Sequence, residues 1–128
     1  MQIPGYTLIK KINSGGMATV YLASRHSVGR TVALKIMKPS LDQDPEFHQR
    51  FQREATIIGQ LSHPNIIPIY DIGRHEKFNY ISMEFLSKGS LDEKIKQGIA
   101  TESALKITLG IAAALDHAHS KGYVHRDI

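Results

Sequence analysis

Apolar residues in the first third of the chain fall in short stretches rich in β-branched and aromatic side chains, not at helical spacing. Residues 6–12 alternate loosely, residues 19–23 and 31–37 are rich in Val, Thr, Tyr and Leu, and Gly15-Gly16 and Val28-Gly29-Arg30 separate them as turns. Three antiparallel strands are predicted. The pattern then changes period. Asp44-Pro45-Glu46 supplies an N-cap, a proline at the first helical position and an acid in the first turn, and Phe47, Phe51, Ala55, Ile58 and Leu61 recur every three or four residues until Ser62-His63-Pro64-Asn65 turns the chain. Residues 66–72 and 78–85 read as two more strands around a polar loop at 74–77. Ser87-Lys88-Gly89-Ser90 reads as a hinge, with Ser90 capping a short helix over 91–96. Thr101-Glu102 opens a longer helix whose Leu105, Leu109, Ala112, Leu115 and Ala118 keep helical spacing until Lys121-Gly122 closes it.

Composition narrows the classes. With 128 residues, 41% hydrophobic and 22% charged, the chain fits one globular domain or part of one. The absence of cysteine rules out disulfides and thiolate metal sites, and a reducing cytoplasmic location is expected. No signal peptide is visible at the start, and the apolar stretch 104–115 contains Lys106 and Thr108 and is too short to span a bilayer. A net charge of +4 is spread along the chain with no cluster beyond Lys10-Lys11, which reads as a solvated surface rather than a nucleic-acid site; a nucleotide's phosphates are the more economical anionic partner. His117 and His119 diverge by about 200° around a helix, so no protein-ligated metal is expected, and His63 is read as fixing its turn.

The order of a strand, a glycine-containing turn, a strand, a strand with a lysine and a helix with a glutamate resembles the small lobe of protein kinases. Five segments carry the resemblance: Ile12-Asn13-Ser14-Gly15-Gly16-Met17-Ala18-Thr19-Val20-Tyr21, Val32-Ala33-Leu34-Lys35, Arg53-Glu54-Ala55, Met83-Glu84-Phe85-Leu86 and His125-Arg126-Asp127. The Gly-Gly-Met tip and the run from Ala114 to Gly122 resemble the bacterial Ser/Thr branch. The fold implied is α+β: a five-stranded antiparallel sheet with one helix over residues 1–86, then the first helices of an incomplete large lobe over 87–128.

The resemblance implies ATP and Mg²⁺ as cofactors and a protein Ser/Thr hydroxyl as substrate. Ile12, Asn13, Ser14, Gly15, Gly16, Met17 and Ala18 would cradle phosphates through backbone N–H groups. Aligned on Val20, the family's three glycine positions are Asn13, Gly15 and Ala18, small residues or ones that accept positive φ; an ordinary hairpin is the other reading of the segment alone. Period two puts Ala33, Lys35 and Met37 on one face of their strand. Ala33 leaves room for a base that Val20 would cover, and Lys35 points toward the phosphates. Glu54 sits on the inward stripe and needs a cation there, which the resemblance supplies as Lys35; the other reading is that it merely flanks the stripe and pairs with Arg50 one turn earlier. Met83 would limit the pocket behind adenine, with the backbone of Glu84 to Leu86 on the base edge. Asp127 would be the catalytic base beside Arg126, and His125 would pack in the core beneath it.

The family's metal-binding Asn and Asp-Phe-Gly follow Asp127 and are not among these residues, so the 128-residue chain by itself is expected not to transfer phosphate. A noncatalytic nucleotide-binding or interaction module is the second reading. The long helix is expected to leave apolar surface uncovered and to promote self-association.

Overall fold

The computed structural model describes residues 2–38 and 45–125, without the side chains of residues 45–48 and 50. In chain order the elements are β1 (Tyr6–Ser14), β2 (Ala18–Arg25), β3 (Arg30–Met37), α1 (Pro45–Gly59), β4 (Ile69–His75), β5 (Phe78–Glu84), α2 (Leu91–Gln97) and α3 (Thr101–Ser120). Two compact units result. One comprises Met1–Gln60 and Pro68–Phe85, the other Leu61–Ile67 and Leu86–Ile128. The turn after α1 therefore clusters with the later helices.

In the first unit a five-stranded antiparallel sheet runs in the order β1-β2-β3-β5-β4. Strand β3 is central, so both of its edges are paired, and its middle is packed on both faces. Val32, Leu34 and Ile36 pack with Ile3, Tyr6 and Ala23 on one face, each large side chain contributing on the order of 1.5–3 kcal/mol by leaving water. On the other face α1 lays Phe51 and Ala55 against Ile81, with Met37, Ile69, Ile72 and Met83 around them. That division is the period-two alternation of β3 made physical.

Element boundaries differ from the sequence pattern where local chemistry intervenes. Strand β4 starts at Ile69 instead of residue 66, because Ile66 N–H is turned back to His63 O at 3.1 Å and Pro68 has no N–H to give a ladder. The expected polar loop at 74–77 shrinks to Glu76 and Lys77, since His75 pairs directly with Phe78. Glu76 takes a left-handed φ of 53° there, and its carbonyl accepts a 3.2 Å hydrogen bond from Arg74 Nε. Helix α1 begins at Pro45 as predicted, although Asp44 lies outside the described residues. Leu61, read as the last residue of its stripe, falls beyond the helix.

In the second unit Ser90 and Glu93 close a reciprocal capping box on α2, with Glu93 N–H donating to Ser90 Oγ at 3.3 Å and Ser90 N–H to Glu93 Oε2 at 2.9 Å. Helix α3 ends as Lys121-Gly122 predicts. Gly122 takes φ 81°, its N–H reaches His119 O at 2.9 Å, and Tyr123 N–H reaches Ala118 O at 3.0 Å. The His63 turn docks on this helix: His63 Nδ1 accepts from Asn65 N–H at 3.0 Å, and the His63 and His117 rings lie 5.3 Å apart. Leu105 and Leu109 remain 61% and 70% exposed. No helix among the described residues is long and apolar enough to cross a membrane.

Candidate functional site

Sheet register decides which predicted site residues share a surface. Directly opposed residues of an antiparallel pair project to the same face, and here Val20 opposes Lys35 while Leu22 opposes Ala33. Across the other edge of β3, Ala33 opposes Met83 and Lys35 opposes Ile81. Asn13 opposes Val20 in turn. One face thus carries two parallel rows, Asn13–Val20–Lys35–Ile81 and Leu22–Ala33–Met83, and it is the face on which α1 packs. Ala33 is buried and Lys35 is half-buried. Leu22 and Ile81 complete the rows although the sequence reading did not single them out; Leu22 was discoverable as the residue two beyond Val20 on an alternating strand.

The β1–β2 turn stands at the end of these rows. Ser14 opposes Thr19 in the last pair. Gly15 N–H then closes the turn on Ala18 O at 2.9 Å, and Ser14 N–H is taken by Asn13 Oδ1 at 2.8 Å. A further bond, Lys38 N–H to Met17 O at 3.0 Å, ties the tip to the strand end beyond β3. Among the described residues this leaves the N–H groups of Gly16 and Met17 as the donors of the tip. The expectation of positive φ is corrected: none of Asn13, Gly15, Gly16 and Ala18 adopts it. What the two glycines do show is open space: a Cβ on Gly16 would meet nothing within 4 Å and one on Gly15 only Ala18 O at 3.8 Å, so the tip is open to a close approach. Met17 is 70% exposed and Ile12 44%.

Glu54 requires a second correction, because it is exposed instead of inward. Phe51 and Ala55, one turn apart, take the sheet contact, and at about 100° per residue Glu54 falls on the flank of that stripe. Among the described residues no ion pair within 4.0 Å joins Lys35 to Glu54. Burial explains the outcome: a carboxylate moves inward only when a cation meets it there, and in this structure the two have not closed.

At the end of β5, Glu84 N–H is committed to Pro68 O at 3.0 Å. Leu86 is 61% exposed and begins the second unit. His125, read as a core residue, is exposed. Asp127 lies outside the described residues.

The protein kinase domain family matches residues 6–128. The chain belongs to that family. It is 42% identical over 126 residues to the probable serine/threonine-protein kinase PknB of Lactococcus lactis, covering 96% of this chain and 20% of that protein, and 42% identical over 125 residues to the serine/threonine-protein kinase PrkC of Bacillus subtilis, covering 96% and 19%. The PknI kinase domain of Mycobacterium tuberculosis superposes with a TM-score of 0.86 at 30% identity, over 100% of this chain and 53% of that structure. The chain therefore spans about a fifth of the length of these curated relatives and about half of the solved kinase domain. The α+β, kinase-like small lobe anticipated from the sequence is the fold found.

Proposed function

We propose that this chain carries the nucleotide-binding half of a serine/threonine protein kinase. The observation that carries the proposal is the register that sets Val20, Ala33, Lys35 and Met83 on one face beside the open glycine tip. The residues fit ATP on physical grounds. Ala33 is small where a flat base must lie, and Val20 and Leu22 give that base apolar cover. Gly16 and Met17 would offer backbone N–H donors to an anion, and Lys35 adds a positive charge in the row that leads to them. The backbone at the end of β5, from Glu84 on, would meet the base edge.

ATP bound with Mg²⁺ supplies the transferable γ-phosphoryl group and the charge neutralisation its transfer needs. The protein's part is to hold Lys35 still: swinging Glu54 inward to meet it would desolvate both charges and fix the ammonium for the phosphates. On the match of His125-Arg126-Asp127 to the family, Asp127 is the base that orients a protein Ser or Thr hydroxyl and accepts its proton. The 128 residues taken alone bind nucleotide without transferring phosphate, and they associate through the exposed leucines of α3.

Titrating Mg·ATP into the purified chain by calorimetry should give saturable binding that weakens about tenfold in Lys35→Met, the scale of one lost charge-assisted contact, and more in Ala33→Phe. Affinity unchanged in both variants would remove the nucleotide reading. Transfer of labelled γ-phosphate that disappears in Asp127→Asn would remove only the statement that these residues do not suffice for catalysis.

A further inference from the structure

On the sheet face opposite the glycine tip's two rows, Arg25 and Arg30 stand directly across from each other as the last pair of β2 and β3. They continue the rows of Ala23 and Val32 and so share the face that carries the main core. Like charges opposed across a ladder repel. Among the described residues no ion pair within 4.0 Å relieves them: Glu84, opposite Val32, and Asp71 both lie on this face by register, and Asp71 acts together with Arg25 on the Tyr6 and Tyr80 hydroxyls, yet neither carboxylate touches a guanidinium. The Arg30 guanidinium lies 4.7 Å from the Tyr70 ring centroid, which pre-orders it. Together with Val28, Gly29 and Val32, these three side chains line an open cavity of about 370 Å³. Val28 is 63% exposed at its rim, whereas Val32 is fully buried at its floor.

We propose that this cavity binds a phosphorylated serine or threonine of a peptide segment. Two opposed guanidiniums without a direct ion pair call for close to two negative charges between them, which a phosphate monoester carries at neutral pH and a single carboxylate does not. Its oxygens accept from two planar forks at once, while Val28 offers apolar cover to the Cβ or methyl group of the modified residue. The site stands apart from the nucleotide reading because it uses the other face of the sheet and none of the residues assigned there.

Fluorescence anisotropy on the intact 128-residue chain tests it, with a labelled phosphothreonine peptide, its unphosphorylated twin and a version with glutamate in place of phosphothreonine. The phosphopeptide should bind about tenfold tighter than either control, should weaken about tenfold in Arg25→Ala and in Arg30→Gln, and should lose affinity steeply with added salt. ATP in excess should not displace it. Circular dichroism on the same variants checks that they fold, and Arg30→Lys, which keeps the charge but loses the fork, should fall between wild type and Arg30→Gln. Equal binding of the three peptides, displacement by ATP or indifference to both arginines would overturn the proposal. So would displacement by inorganic phosphate at the peptide's own concentration, which would mark a site for the free ion, or a self-association lost in the same variants without peptide binding. ATP titrations of Arg25→Ala should match wild type, so failure here leaves the nucleotide site untouched.

Discussion

Tyr6 shows how one side chain ties distant segments of the first unit. It is 8% exposed, donates from its hydroxyl to Asp71 Oδ2 at 3.0 Å across 65 residues, and meets the Tyr80 ring edge-on at a centroid distance of 5.8 Å. Burial pushes the hydroxyl pKa of both tyrosines above the ordinary value of 10.0, and the Asp71 carboxylate adds to the rise. A folded-state value above the unfolded one means that the stabilisation is whole below about pH 10 and is lost as pH climbs through the folded values. Melting temperature followed by circular dichroism should therefore fall as pH rises above about 10, and fall less in Tyr6→Phe. At neutral pH that variant should cost about 1 kcal/mol for the missing hydrogen bond. Gly73 belongs to the same corner: a Cβ there would run into the Tyr80 ring, so the strand is kept bare where the aromatic crosses it. The Tyr6–Asp71 bond could not be read from the sequence, because it joins strands 65 residues apart, and the Gly73–Tyr80 crossing depended on the tight hairpin register set by the two-residue Glu76-Lys77 turn, where a longer loop was expected.

At the scale of elements, legibility follows how local the deciding interaction is. Helix α2 was readable to within one residue because its capping box lies within four consecutive positions. The end of α3 was readable for the same reason, through Gly122. The stripe of α1 was seen, but which flank Glu54 occupies depends on how the helix rolls onto Ile81 and its neighbours, a tertiary matter. The same contrast governs stability. Strand β3 has partners on both edges and covered faces, whereas α3 buries only Ala118 among its described residues. Hydrogen exchange followed by mass spectrometry should show the amides of β3 and β5 as the slowest and those of α3 around Leu105 and Leu109 as much faster. Equal protection of α3 and β3 would contradict the exposure of that helix.

For the whole molecule, the exposed Leu105 and Leu109, one turn apart on α3, place an apolar surface on the second unit that water wets at a cost. Sedimentation velocity should detect concentration-dependent association that Leu105→Gln with Leu109→Gln abolishes while leaving the far-ultraviolet spectrum unchanged. A monomer at every concentration would count against it. The residues alone determined the order of strands and helices, the alternation that separates Lys35 from Leu34, and the motifs that place the chain among protein kinases, since periodicity, capping and turn chemistry act over a few neighbouring positions. Only the tertiary structure decided that Val20 faces Lys35, that Arg25 faces Arg30 on the other side of the sheet, and that Glu54 stays in solvent. Those outcomes turn on strand register and helix roll, which long-range packing sets and no short window of sequence contains.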